Sequence, residues 1–257
     1  MNVHRPSATC ALDERAVELA RARGLEPIGW FWATDRDAID VGVAEHVRLG
    51  VRRATVFLGR HDTPGREALA LALHLRRRAR AAGLHAAAET HRDTAMETPE
   101  KTAALLAGYR RRAGEEMPVI WDFSHAALVK HLAPETWAER LLTEPENVTR
   151  AELFHFRPFN GQHAQVSAPV GRGARSSREY AASLAFFGEV MRRWREAQGD
   201  VASRELWACP EIGPVQAGYA LSTDAQPWAQ ARRVARDLRL AWRGDRARRE
   251  QGRAREA

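Results

Sequence analysis

The sequence predicts an α/β barrel of the (β/α)8 type that lacks its first strand–helix–strand piece. Three observations carry this. Short apolar runs alternate with longer amphipathic stretches, six such runs occur in series, and most of the later runs end on an ionisable residue.

The segment 1–24 opens with a helical stretch, Asp13–Arg23, and offers no strand; it is expected to be an N-terminal helix or extension. The barrel domain is expected over 25–243. Its strands are Pro27–Ala33, Ala54–Gly59, Leu84–Glu89, Pro118–Asp122, Ala151–Arg157 and Glu205–Glu211. LHAAAE is the least strand-like of these, because alanine prefers helix. Helices are expected at Ala38–Leu49, Thr63–Ala82, Thr98–Ala113, Ser176–Gln198 and Pro227–Trp242. Two of them start on Thr-Pro, a cap followed by proline at the first helical position, and three stop at Gly50, Gly83 and Gly114. A doubly wound open sheet is the structural alternative. Neither a Gly-x-Gly-x-x-Gly after a strand nor a P-loop is present to favour it. The segment 161–175 reads as a long loop, and loops of that length in compact domains are commonly functional. The basic tail 244–257 reads as disordered.

At 257 residues, 44% hydrophobic and 28% charged, the chain suits one large domain with a real core. No apolar run approaches the roughly 18 residues of a membrane span, and the N-terminus lacks the pattern of a secretory signal. A cytoplasmic enzyme is the default expectation, with no membrane partner and with homo-oligomers allowed. Cys10 and Cys209 are too few for a disulfide framework or zinc knuckle. The net charge is +7, but lysine occurs only at Lys101 and Lys130, and the arginine excess sits in helix-surface runs and the tail. Such runs are usually solvated faces, so a nucleic-acid partner is not expected.

Position is the informative feature. Glu89, Asp122 and Glu211 end three of the strands, and His155 lies near the end of a fourth. In a barrel all parallel strands end on one face, where active sites are built. Three carboxylates and an imidazole converging there need compensation by a cation. An oxygen-rich set with one nitrogen suits a single divalent metal, Mn2+, Mg2+ or Co2+, with Zn2+ as an alternative. Any one of these residues alone would more readily be a satisfied core polar group or a helix cap. Spacing reverses that: 33 residues separate Glu89 from Asp122, and 33 separate Asp122 from His155. The next interval, 56 residues to Glu211, accommodates the long loop and a long helix.

The stretches Glu89-Thr-His-Arg-Asp-Thr, Trp121-Asp-Phe-Ser-His125, Phe154-His-Phe-Arg157 and Cys209-Pro-Glu-Ile-Gly213 resemble, in order and spacing, the xylose isomerase-like TIM-barrel superfamily, the sugar phosphate isomerase/epimerase group. The resemblance runs from about Arg21 to Trp242. It implies that Glu89, Asp122, His155 and Glu211 hold one divalent metal and that His125 and Arg157 contact substrate. It also implies two further strands in front, which this sequence does not display.

The chemistry expected is that of a metal-dependent isomerase or epimerase on a sugar-like hydroxy-carbonyl substrate. Glu89 and Glu211 would exchange the proton as base and acid, through an enediolate whose oxygen the metal stabilises. His91 is expected to add a polar contact, its alternative being a surface loop histidine. A metal-dependent hydrolase or lyase, including an abasic-site endonuclease, is a second expectation. It would need several metals and more histidines and carboxylates at the strand ends; His85, His91, His125 and His163 are spare candidates but do not form that pattern. A truncated, non-catalytic metal-binding member is the third.

Overall fold

The computed structural model describes residues 13–143, 148, 151, 153–198, 206–221, 224 and 226–256, with side chains as far as residue 244. Six parallel strands form one sheet in the order β1-β2-β3-β4-β5-β6. They are β1 (Ile28–Ala33), β2 (Arg53–Leu58), β3 (His85–Glu89), β4 (Val119–Asp122), β5 (Leu153–His155) and β6 (Trp207–Cys209). All six expected strands form, and this sequential parallel order is that of consecutive staves of a (β/α)8 barrel. The sheet curls on itself. The Arg53 guanidinium on β2 lies 4.7 Å from the centroid of the Trp207 ring on β6, across the concave face. The last two strands are shorter than expected, and Glu211 lies beyond β6. Pro210 has no N–H to donate to the ladder, so pairing stops at Cys209.

The helices are α1 (Glu14–Ala22), α2 (Arg36–Arg48), α3 (Gly65–Ala81), α4 (Pro99–Ala113), α5 (Phe123–Val129), α6 (Trp137–Leu141), α7 (Arg178–Gln198) and α8 (Pro227–Glu256). Helix α4 starts as its sequence predicts. The Thr98 side chain accepts from Lys101 N–H at the cap, Pro99 takes the first turn, and Gly114 closes the helix in the left-handed region at φ 70. Helix α3 departs from that reading. Pro64 is its N-cap residue, and the Thr63 hydroxyl instead accepts from Arg60 N–H, turning the loop before the helix. Helix α1 packs Val17 on Leu49 and Val51, and Arg21 donates to the carbonyls of Leu49 and Gly50. Helix α8 continues through Gly244 to Glu256, where a disordered tail was expected. Alanine, arginine and glutamate dominate that stretch and are strong helix formers, while its two glycines, Gly244 and Gly252, cost the helix only about 1 kcal/mol each.

Alternation along the strands gives the sheet two faces. Phe31, Ala33, Ala54, Val56, Leu58, Ala88, Val119, Trp121, Phe154 and Phe156 face the helices and form the main core with them. Helix α2 approaches β1 so closely that a Cβ on Gly42 would lie 2.3 Å from the Phe31 ring. Residues of the opposite parity line the concave face. Its lower layer is a small apolar cluster of Ala87, Ile120 and Leu153, joined by Trp207 and Cys209. The layer above it, at the carboxyl ends of the strands, is polar on β3, β4 and β5 and aromatic on β1 and β2, where Trp32 and Phe57 stand.

Candidate metal and substrate site

Glu89 and Asp122 are the last residues of β3 and β4, and His155 is the last of β5. Each stands two positions beyond an apolar residue of the lower layer, so each points into the concavity. With Glu211 they form a group in which each residue offers one ligand atom and all four atoms lie within 4.8 Å of one another. All four expected ligands are therefore brought together. Exposure of the side chain is 2% or less for Glu89, Asp122 and His155, and 17% for Glu211.

Local bonds fix the geometry. The Thr90 hydroxyl donates to Asp122 C=O and accepts from Asp122 N–H, tying the end of β3 to the end of β4. Asp122 Oδ1 accepts from Ser124 N–H and so caps α5. Its other oxygen, Oδ2, is buried with no hydrogen-bond donor among the described residues. It stands 3.3 Å from His125 Nε2 and 3.3 Å from Arg157 Nη2. His155 Nδ1 lies 3.3 Å from Glu89 Oε1 and 3.1 Å from Glu211 Oε2. Glu211 is steadied from the long loop: the Gln165 side chain bonds both Gly213 N–H and Gly213 C=O. Neither Gln165 nor its loop carries a sequence signal for this contact beyond the loop's length.

The electrostatics follow from crowding in a dry site. Burial pushes Glu89 up to about 7, Glu211 and Asp122 add to the rise, and His155 opposes it. Burial also raises Asp122, against the pull of Arg157. Burial disfavours the charge on His155, but Glu89 and Glu211 outweigh it and hold the imidazole well above its ordinary range. A divalent cation resolves this arrangement. The donor set is three carboxylates and an imidazole, and one carboxylate oxygen is orphaned, so the residues present fit a metal ion.

The expected substrate contacts surround this group. Arg157, two residues beyond His155 and on the same side of the chain, is 1% exposed and forms an ion pair through Nη2 with Glu211 Oε2 at 2.6 Å. His125 is fully buried on α5. His91 is buried at the site, two residues beyond Glu89, so its surface-loop alternative is set aside. It packs against His125 with ring centroids 3.9 Å apart and the planes tilted by 48°. Burial lowers His91 to about 3 and holds His125 well below its ordinary range. His85 begins β3 at the opposite end of the sheet, and His163 is an exposed loop residue bonded to Asn160.

Two further residues join the site without having been expected there. Arg92 Nη1 lies 3.1 Å from His125 Nδ1. Tyr219, on the segment after β6, lies under both guanidiniums: Arg157 at 4.1 Å and Arg92 at 4.7 Å from its ring centroid. Its hydroxyl is 3.4 Å from His91 Nε2. A guanidinium can only donate, so His125 Nδ1 accepts and the ring proton sits on Nε2, facing Asp122 and Glu89. This bears on a second trio, Glu89, His91 and His125, whose ligand atoms also lie within 4.8 Å. His125 could join it as a ligand only if Arg92 moved away or the proton left Nε2. A cavity of about 280 Å3 lies elsewhere, between α3, α4 and the start of β3, lined by Leu75, Arg76, Tyr109 and Met117; none of the four converging residues lines it.

No family model and no curated protein matches the sequence. Solved structures do match its fold. One is an L-ribulose 3-epimerase, at TM-score 0.62 and 12% identity, over 97% of this chain and 85% of that one. Another is a xylose isomerase domain-containing protein from Salmonella typhimurium, at TM-score 0.55 and 15% identity, over 90% of this chain and 81% of that one. The chain has the fold of the xylose isomerase-like TIM barrels.

Proposed function

We propose that this protein is a metal-dependent isomerase or epimerase of a sugar-like hydroxy-carbonyl compound. The observation that carries the reading is the convergence of Glu89, Asp122, His155 and Glu211 at the strand ends. The epimerase fold supports it. Glu89, Asp122, His155 and Glu211 would hold one divalent ion, Mn2+, Mg2+ or Co2+ by the softness of the donors, with Zn2+ also compatible. Once bound, the ion supplies Lewis acidity toward a carbonyl and its neighbouring hydroxyl.

The chain's own groups then divide the work. Glu89 and Glu211 reach the centre from different strands and differ in environment, one enclosed and one partly wet. That difference suits them to take a proton from the carbon beside the carbonyl and to return one. The protonated Nε2 of His125, the Arg157 guanidinium and His91 orient substrate oxygens. Burial of Glu89, Asp122 and His155 keeps water from the reacting carbon.

The test is isotope exchange. Metal-loaded protein incubated in D2O with ketoses and inosose-type cyclitols is expected to place deuterium on the carbon beside the carbonyl, read by NMR. Glu211→Gln and Glu89→Gln are expected to stop it. Exchange that survives Glu211→Gln would sink the assignment. The hydrolase or lyase alternative draws support from the second trio, Glu89, His91 and His125; two metal equivalents per chain would favour it over the isomerase.

A further inference from the structure

We propose that the substrate of this site is an anion: a polyhydroxy compound carrying a carboxylate, seated against Arg157 and Arg92 where the ring of Tyr219 now lies. This deepens the isomerase reading and rests on it for the location of the reacting end.

Three observations support it. First, Arg157 is a buried cation with unused donors. It is 1% exposed, and its Nε and Nη1 have no hydrogen-bond acceptor among the described residues. A buried N–H left unmet costs stability, and more so on a charged group, so such groups are ordinarily found with an acceptor. Only its Nη2 is engaged, with Asp122 and Glu211. Second, a further guanidinium shares the place. Arg92 and Arg157 both lie against the Tyr219 ring, and no carboxylate is paired with Arg92 in the described residues. Three carboxylates facing a divalent ion and two guanidiniums leave one positive charge over, which an anionic group on the substrate would meet. Neutral sugars offer oxygen acceptors but no charge.

Third, Tyr219 is held as a replaceable occupant. Its segment is anchored at both ends, by Gln165 on Gly213 and by Asp224, which accepts from Leu221 N–H and from Ser167. Between those anchors residues 214–218 are exposed, and Gly218 takes a left-handed turn at φ 74. The ring rests directly on Gly213, where a Cβ would come within 2.5 Å of it. The hydroxyl makes one long contact, 3.4 Å to His91. A ring with cation–π contacts and one weak hydrogen bond yields to a carboxylate that makes charge-assisted bonds to the same guanidiniums.

The experiment uses the intact, Mn2+-loaded protein and a matched pair of probes, D-gluconate and D-sorbitol, which differ only in carboxylate against hydroxymethyl at one end. Affinities are read by calorimetry. Gluconate is expected to bind about tenfold tighter or better, and Arg92→Gln and Arg157→Gln are each expected to bring the ratio close to one. Tyr219→Ala is expected to tighten gluconate, because no ring then has to leave. Equal affinity for the two probes overturns the proposal. So does a preference that persists in Arg92→Gln and vanishes without metal, since chelation alone would then explain it. Arg92 is only partly buried, so its variant keeps the test decisive if Arg157→Gln fails to fold. Failure here stays separate from failure of the isomerase reading. Neutral ketoses that exchange deuterium without any carboxylate preference leave the function standing and remove the anion; the preference without exchange on any ketose or keto acid does the reverse.

Discussion

The concave face of the sheet has two layers made by the same strands, and they differ in almost everything except backbone. Ala87, Ile120 and Leu153 form the lower layer. Two residues further along those strands stand Glu89, Asp122 and His155. One pleat separates an apolar plug from a cluster of buried charge. The lower layer needs only volume and hydrophobicity, whereas the upper layer holds three carboxylates together at a cost in stability that only a cation or a proton relieves. The lower layer therefore contributes packing and the upper layer the proposed chemistry, and each can be disturbed separately.

The largest effect is expected in the upper layer. Glu211→Gln keeps size and shape but removes proton transfer, and should lower the exchange rate by about 10²–10⁴-fold with little change in melting temperature. The next is in the lower layer. Leu153→Ala should cost about 2–5 kcal/mol in denaturant unfolding while leaving metal stoichiometry intact. Loss of stability from Glu211→Gln with full activity, or loss of metal from Leu153→Ala in protein that remains folded, would erase the distinction.

Smaller effects come from pH. Folding keeps a proton on Glu89 up to about 7, against about 4.5 when unfolded. Above its unfolded value the folded chain therefore binds more protons, so stability falls as pH rises from about 4.5 to 7. His155, also raised, adds a fall in the same direction at higher pH. Metal-free Glu89→Gln should consequently be more stable than the metal-free wild type at pH 8, by on the order of 3 kcal/mol, and the two should converge near pH 4. Metal binding must displace the same protons, so affinity should rise by about tenfold or more per unit between pH 6 and 7. Calorimetry in buffers of different ionisation enthalpy counts the protons released. Metal affinity flat across that range would contradict the buried, protonated state of these groups.

Strand ends were readable because an apolar run that closes on Glu89 or Asp122 is a local pattern. The converging side chains needed only that pattern and the rule that parallel strands share a carboxyl face. What lay beyond it was set by tertiary contact. Arg92 sits in a quoted motif, but only folding lays it beside His125. Tyr219 and Gln165 come from segments without periodicity, and their meeting at Gly213 and Arg157 is invisible along the chain. Helix α5 has no start signal of its own in the sequence, because Asp122 both ends a strand and caps the helix, leaving no turn between them.

Everything proposed for the site depends on Glu89, Asp122, His155 and Glu211 holding one divalent ion. Titration of metal-free protein with Mn2+, followed by calorimetry and elemental analysis, tests it most directly. One equivalent per chain is expected, and Asp122→Asn, which can still accept at the α5 cap, is expected to weaken binding by about 10–100-fold or more while the fold persists. No binding, two equivalents, or unchanged affinity in Asp122→Asn would contradict it.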